Sequence, residues 1–447
     1  MRDRAVVLGG GIGGMAAALL LADRGLHVTL VEAAPRLAMG WRSAATPLGP
    51  ADPGIRVPRE SGDARADALV FHGHPGLAWH RIGPRAAEGH VRDGRLNAAT
   101  GCLDLRDLPA AILGAARVEV LSRAFTPDPR DAAGSLADRL ETQFGPTLLH
   151  AALRPACLSL LGAEPEALAW NAAEARLPAR LVLADHAETD RLRGIGHLGA
   201  RLAHPVAAAA PMGGEARAYL YPQAGGIGAW VAALDTTLAR VGVVVRTGCR
   251  LASLRLAGGR IRTAMTEDGS ELPCDLLVLA ATPRALPLPG LTAVPERSVP
   301  VAARLLAFGS GTPPPLHWIT SCDPATPFLR LGFPDRLEGA EPRAPWRIVT
   351  ELREGATAEA LAASLARLGV VPDGAQPIAT AEGGRGRFAV ETRAARTARD
   401  TALAALGAIP NLALLRSAAG GHALAGELVA DAARLAAAVA APASAAA

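Results

Sequence analysis

Residues 5–32 read AVVLGGGIGGMAAALLLADRGLHVTLVE, and their order decides the fold. Ala5 to Leu8 is a short apolar run, as expected of a strand buried on both faces. Gly9-Gly10-Gly11-Ile12-Gly13-Gly14 follows and satisfies Gly-x-Gly-x-x-Gly. Small and apolar residues from Met15 onward then predict a helix. A second strand, His27 to Val31, ends on Glu32. Strand, glycine turn, helix, strand and acid together form a dinucleotide-binding unit. In it, Gly9 permits the tight turn, Gly11 lets the backbone approach a pyrophosphate, and Gly14 lets the helix pack on the strand. The helix begins near Ile12, so its first N–H groups, from Ile12 through Gly13, face an anion with the positive end of the dipole. Glu32, with Ala33 beside it, is placed to accept hydrogen bonds from ribose hydroxyls and disfavours a 2′-phosphate. FAD and NAD both use this unit, so its residues alone leave the dinucleotide open.

Working outward, 447 residues amount to two or three domains' worth of chain. Half the residues are apolar, which excludes disorder as the main state. The net charge of +4 is spread without a basic run, and aromatics are only 3%, so nucleic-acid binding is not expected. All 46 basic residues are arginine. A chain without lysine has no lysine Schiff base and no lysine general base. Five cysteines, at 102, 157, 249, 274 and 322, form no Cys-x-x-Cys pair and no zinc spacing with histidine. No metal site is therefore expected. No charge-free window is long enough to span a membrane, which points to a cytoplasmic protein with peripheral membrane contact left open.

Along the chain, 44–68 reads as loop. Ser135–Gly145 and Pro146–Gly162 read as amphipathic helices, and 185–215 as irregular. A Gly-rich turn precedes a helix at Gly225–Gly242, and a strand follows at Val243–Arg246. Three runs, Cys249–Leu256, Ile261–Thr266 and Glu271–Pro273, are separated by Gly258-Gly259 and Asp268-Gly269 and read as a β-meander. Asp275–Ala281 is a further buried strand. Residues 284–355 are Pro-rich with broken strand patterns. Helices follow at Thr357–Gly369 and Ala395–Leu406, then a strand at Leu412–Leu415, a closing helix from about Leu424, and a tail at 441–447.

This order resembles the flavin-containing amine oxidase superfamily, which includes phytoene desaturases, protoporphyrinogen oxidases and hydroxysqualene dehydroxylases. Four segments carry the resemblance: Ala5–Leu37, Ser135–Trp170, Tyr221–Leu256 and Asn411–Ala436. The resemblance implies FAD as cofactor. It implies an α/β fold in which a Rossmann-type FAD-binding domain, βαβ plus β-meander, is interleaved with a mixed α+β substrate domain. The FAD domain would comprise 1–68, 210–283 and 375–440, and the substrate domain 69–209 and 284–374. By position, the backbone at Leu251 would hold adenine.

Two segments depart from the family pattern. The usual Gly-Gly-Arg is replaced by Leu37-Ala38-Met39-Gly40-Trp41-Arg42, with Arg42 as its displaced arginine. The usual C-terminal Gly-Asp is replaced by Leu415-Arg416-Ser417. Arg416 is then either a charge-assisted partner of the pyrophosphate or a surface arginine at a strand end.

His72, His74 and His422 lie at family positions near the flavin, or are ordinary loop histidines. Tyr219 and Tyr221, the chain's only tyrosines, border the substrate side or simply pack. Gly383-Gly384-Arg385-Gly386-Arg387 reads as an anion nest or a loop.

Amine oxidases of this superfamily usually hold a Lys–water pair beside the flavin, which this chain lacks. The expected activity is therefore of dehydrogenase or desaturase type, moving hydride from a largely apolar small molecule, isoprenoid or tetrapyrrole-like, onto flavin. A redox-neutral flavoenzyme of the dehydroxylase kind and a non-catalytic relative are the alternatives. Catalytic residues and oligomeric state are not specified by the sequence.

Overall fold

A computed structural model describes residues 3–83, 87–128, 134–172, 176–206, 217–288, 297–341, 344–415 and 424–440. Its centre is a five-stranded parallel sheet in the order Val244–Arg246, His27–Val31, Arg4–Leu8, Leu276–Leu279, Leu412–Leu414. Alternation sorts the side chains of the central strand. Ala5 and Val7 face a core with the helices Ile12–Asp23, Ile227–Arg240 and Ala425–Ala440. Val6 and Leu8 face the opposite core with Leu251, Ile261 and Leu272 of the meander. Both faces are covered, which is why these strands are apolar throughout. The helix Ile12–Asp23 is itself buried from Ile12 to Leu21, sandwiched between the sheet and the C-terminal helix. Its Ala16-Ala17-Ala18 run lets neighbouring backbones approach closely.

The meander forms Leu251–Ala257, Arg260–Thr266 and Glu271–Pro273 as an antiparallel three-stranded sheet, as its Gly-containing turns predict. The fold class is thus α/β with a Rossmann-type unit carrying a meander.

A second sheet has seven strands, in the order Ala379–Val390, Arg297–Phe308, Trp346–Leu352, Phe328–Gly332, Trp318–Ser321, Glu88–Arg92, Arg95–Asn97. It is antiparallel except where Trp318–Ser321 pairs with Glu88–Arg92. This sheet corrects the reading of 284–355 as broken strands. It also corrects 383–387, which is neither nest nor loop. Arg385, Gly386 and Arg387 pair with Ala302, Val301 and Pro300. The strand Ala379–Val390 falls in the stretch 375–440, expected to belong to the dinucleotide unit, yet it pairs with Arg297–Phe308 instead.

A helical layer of Ala110–Ser122, Leu136–Phe144 and the consecutive helical turns from Pro146 to Leu161 packs around its own core. Ser135 and Asp138 cap the second of these helices reciprocally, fixing its start where the sequence places it. Within 44–68, read as loop, the chain makes a small hairpin of Ala44–Thr46 with Gly49–Ala51 and a helical turn at Ala64–Asp67. Within 185–215, read as irregular, it makes the helices His186–Arg193 and Leu198–Arg201. Among the described residues no helix is long and apolar enough to cross a membrane.

Candidate active site

The glycine turn at the head of the first helix has the geometry that dinucleotide binding requires. Gly9 has φ of 110°, a conformation that L side chains rarely adopt. A Cβ on Gly14 would lie 1.8 Å from the Gly9 carbonyl oxygen, so the helix sits against the turn as closely as glycine permits. Gly11 is different. Its backbone is ordinary, φ −70° and ψ 177°, and a Cβ there would meet nothing within 4 Å. Nothing in the protein therefore demands glycine at position 11, whereas a group bound over the turn would. No side chain caps this helix, so the N–H groups of its first turn, Ile12 to Gly14, keep their capacity for an anion. Ile12 and Gly13 are buried in the core, so they contribute backbone only.

Glu32 stands at the end of the next strand. Its carboxylate accepts from the Gly10 N–H at 2.6 Å and from the Ala34 N–H at 2.7 Å. These bonds hold both oxygens beside the turn, and each oxygen keeps a second lone pair for a ribose hydroxyl. Ala33 is exposed next to it. Glu32→Ala is expected to cost FAD affinity about 1.5–3 kcal/mol per lost charge-assisted bond. Flavin occupancy after exhaustive dialysis measures this, and undiminished occupancy would remove Glu32 from the cofactor site. Leu251 is buried with Val6, Leu8 and Val31, which puts the start of the meander beside the strands that carry the turn. The features fit a dinucleotide: an open cradle over Gly11, an uncapped helix end, and an oriented acid.

Arg42 donates through Nε to the Leu37 carbonyl at 2.8 Å and pairs with Asp235 of the helix Ile227–Arg240. It thus ties the segment after the first βαβ unit to that helix. Arg416 and His422 lie outside the described residues. His74 is buried, with Nδ1 2.8 Å from Thr237 Oγ1 and Nε2 2.8 Å from the Val70 carbonyl. Burial holds its pKa below the ordinary histidine value. His72 pairs with Glu60 at 3.1 Å. Both histidines are engaged in structural contacts.

Tyr221 is buried and donates to Asp52, which also accepts from Ser43 Oγ and from the Ile227 N–H at 3.1 Å. Burial raises the Asp52 carboxyl above its usual range. This network anchors the N-terminus of Ile227–Arg240 and assigns Tyr221 a packing role. Trp230 on that helix stacks on Phe71, with ring centroids 5.1 Å apart, and meets Trp41 and Trp79 edge-on.

Tyr219, by contrast, lines a cavity of about 550 Å³ where the dinucleotide unit, the seven-stranded sheet and the helical layer meet. Trp41 and Ile55 come from the first, Glu88, Trp318, Arg330 and Phe388 from the second, and Leu160 and Arg176 from the third or its flank. Tyr219 and Trp318 meet edge to face at 5.8 Å. Beside the cavity Glu351 is 1% exposed. Arg330 holds it with two hydrogen bonds, 2.8 and 2.6 Å, and the Ile55 N–H donates a third at 3.1 Å. Arg56 and Arg176 stand 3.6 Å from the same carboxylate. Burial alone would push this carboxyl up, but Arg330, Arg176 and Arg56 together hold it at about 2.

Sequence reading did not single out Arg56, Arg176, Arg330, Glu88 or Glu351. For Arg330 the signal is a charged residue inside the otherwise apolar strand Phe328–Gly332, whereas Arg56 and Arg176 lie outside strands and carry none.

Glu88 on the cavity wall is pushed up to about 7 by burial, against a hydrogen bond from Trp318 and the charge of Arg330. A carboxyl whose folded pKa is raised from 4.5 gives stability below that value and loses it as pH rises through about 7. Glu88→Gln is therefore expected to be relatively more stable than the parent at about pH 8 than at about pH 5, by melting temperature. An equal difference at both values would contradict the raised pKa. Elsewhere, His186, Asp190 and His204 bring three potential ligand atoms within 4.8 Å of one another, an arrangement the cysteine and histidine spacings did not foreshadow. None of the three lines the cavity.

Residues 7–69 match the family model of an NAD(P)-binding Rossmann-like domain, and residues 71–324 match that of the flavin containing amine oxidoreductases. The chain belongs to the flavin containing amine oxidoreductase family. By that membership this amine oxidoreductase relative is an FAD-dependent oxidoreductase. No curated protein matches the chain in sequence. Among solved structures it is similar to reduced UDP-galactopyranose mutase, with a TM-score of 0.68 at 14% identity, over 98% of this chain and 94% of that one. It is also similar to a protein described as a protoporphyrinogen oxidase from Exiguobacterium sp., with 0.58 at 16% identity over 98% and 99%. A putrescine oxidase with bound putrescine gives 0.58 at 14% over 98% and 99%. At these identities the likeness is one of fold.

Proposed function

We propose that the chain is a dehydrogenase of desaturase type that takes hydride from a C–H bond of a small molecule held in the 550 Å³ cavity. FAD supplies the hydride acceptor. The observation that carries the reading is the cavity itself, walled by Trp41, Ile55, Tyr219, Trp318 and Phe388 and bordered by the dinucleotide unit. Those side chains position the substrate and exclude water, which is the main contribution a protein makes to hydride transfer. The chain has no lysine, so a lysine-held water is not part of its machinery. We further assign Gly9, Gly11, Gly14 and the Ile12–Gly13 N–H groups to the pyrophosphate, Glu32 with Ala33 to the ribose, and the Leu251 backbone to adenine. Arg42 acts by bracing the segment before the cavity against the helix Ile227–Arg240. Arg416 is proposed as a partner of the pyrophosphate.

Purified protein is expected to be yellow with near-stoichiometric FAD. A colourless protein that also fails to take up added FAD would overturn the reading. Anaerobic addition of a true substrate should bleach the oxidised flavin band in proportion to the product formed. Product formation without bleaching would identify a redox-neutral flavoenzyme instead.

A further inference from the structure

Around the cavity three guanidiniums, Arg56, Arg176 and Arg330, converge on one buried carboxylate, Glu351, while burial raises the carboxyls of Glu88 on the wall and Asp52 near Arg56, so positive charge predominates at the Glu351 end. The arginines are not equivalent. Arg330 spends Nε and Nη2 on Glu351 and the Ile55 carbonyl, so it is the structural partner. Arg56 and Arg176 approach Glu351 only to 3.6 Å, beyond hydrogen-bond distance. Arg176 is 13% exposed, its guanidinium carbon stands 3.5 Å from the centre of the Phe388 ring, and its buried Nη1 meets Glu351 Oε2 as an ion pair at 3.6 Å without a close hydrogen bond among the described residues. Burial and the nearby Arg330 lower its pKa to about 9, so it remains charged at neutral pH in a place that disfavours charge. A buried guanidinium held at ion-pair distance keeps donor capacity that an acceptor in the cavity can use. Both arginines line the same cavity as the aromatic walls.

We propose that Arg176 and Arg56 form an oxyanion-binding subsite of this cavity, and that the substrate is a small molecule with an apolar or aromatic body ending in a carboxylate or phosphate. The proposal rests on the cavity being the substrate site, and it replaces a wholly apolar substrate by an amphipathic one. The planar guanidinium fork suits both oxyanions, because each presents two oxygens at matching spacing. Arg176 is held by its cation–π contact with Phe388, and so meets the ligand with little loss of rotamer freedom.

The test uses flavin-loaded protein, in which the pyrophosphate cradle is already filled. Isothermal titration with 1-naphthyl phosphate, 1-naphthoate and 1-naphthylmethylammonium compares one aromatic body with three end groups. At least one of the two anions is expected to bind at least tenfold more tightly than the ammonium, and which one binds better tells phosphate from carboxylate. Arg176→Gln is expected to weaken the preferred anion by about ten- to a hundredfold, as loss of a charged hydrogen bond implies. Arg176→Lys should recover part of the loss. Arg56→Gln is the second variant, in case Arg176→Gln does not fold, and should also weaken the anion. Equal or tighter binding of the ammonium would overturn the proposal, as would unchanged anion affinity in both glutamine variants. The absorbance of the same samples reports flavin content. A colourless protein would count against the flavin reading alone, because the dependence of anion binding on Arg176 is measured either way.

Discussion

Gly11→Val is expected to give a folded, soluble protein that carries no flavin. The backbone at Gly11 lies in the extended region, where a β-branched residue is at ease, and the added Cβ meets nothing of the protein within 4 Å. The substitution therefore fills only the space in front of the first helix turn, where the pyrophosphate would approach the uncapped N–H groups. Losing two charge-assisted bonds amounts to about 3–6 kcal/mol, or roughly two to four decades in Kd. Melting temperature and far-UV circular dichroism should match those of the parent freed of flavin, while the visible flavin spectrum disappears and is not restored by added FAD. Gly14→Ala is the contrasting control. Its Cβ would sit 1.8 Å from the Gly9 carbonyl oxygen, so that variant should lose the fold together with the flavin. A Gly11→Val protein with normal flavin content would move the pyrophosphate elsewhere.

The first βαβ unit was legible because independent local signals agree over 28 consecutive residues: apolar runs, glycine spacing, a small-residue helix and a terminal acid. The meander was legible for the same reason, since each strand break carries its own turn glycine. The seven-stranded sheet was not. Its two longest strands contain residues that argue locally against strand. Pro300 lies in Arg297–Phe308, and Gly383, Gly384 and Gly386 lie in Ala379–Val390. The pairing explains both. Trp346–Leu352 covers only Ala302 to Phe308, so Pro300 lies where one side of the strand has no ladder to feed. Ala379–Val390 is an edge strand, where glycine and outward arginines are tolerated and discourage further pairing. Gly383 is also needed for close approach, because a Cβ there would stand 2.7 Å from the Asp52 carbonyl oxygen.

The glycine turn and its acid were readable in the sequence and the arginine-lined cavity was not, for a related reason. Gly9, Gly14 and Glu32 act within one local unit, so spacing reports on them. Arg56 and Arg176 come from segments far in sequence from the paired strands that carry Arg330 and Glu351. With 46 arginines and no lysine, no single arginine stands out in the sequence. His74 shows the limit of position alone. It follows a strand-like apolar run and invites a role at the flavin, but both ring nitrogens are spent on Thr237 and Val70.

Glu351→Ala is expected to destabilise the fold by about 3–5 kcal/mol, the cost of leaving buried charge without its counter-ion. The residue is 1% exposed, and three guanidiniums converge on it from different parts of the chain. Without it Arg330 loses two hydrogen bonds, the Ile55 N–H loses its acceptor, and Arg56 and Arg176 repel one another and Arg330. Against a total stability of about 5–15 kcal/mol, this is a large share. Glu351→Gln keeps an acceptor oxygen for Arg330 but no charge, so it should fall between parent and alanine variant in urea unfolding. The pH dependence separates this account from a simple packing defect. Burial raises the Glu351 carboxyl, but the arginines outweigh it and bring the folded value to about 2, below the ordinary 4.5. A depressed carboxyl contributes stability above about 4.5 and loses it as pH falls toward about 2. The gap between parent and Glu351→Gln should therefore be full at neutral pH and close progressively in that acid window. A gap that stayed constant from neutral pH to the acid limit would mean that Glu351 supports the cavity by shape alone, and that the arginines around it do not depend on its charge.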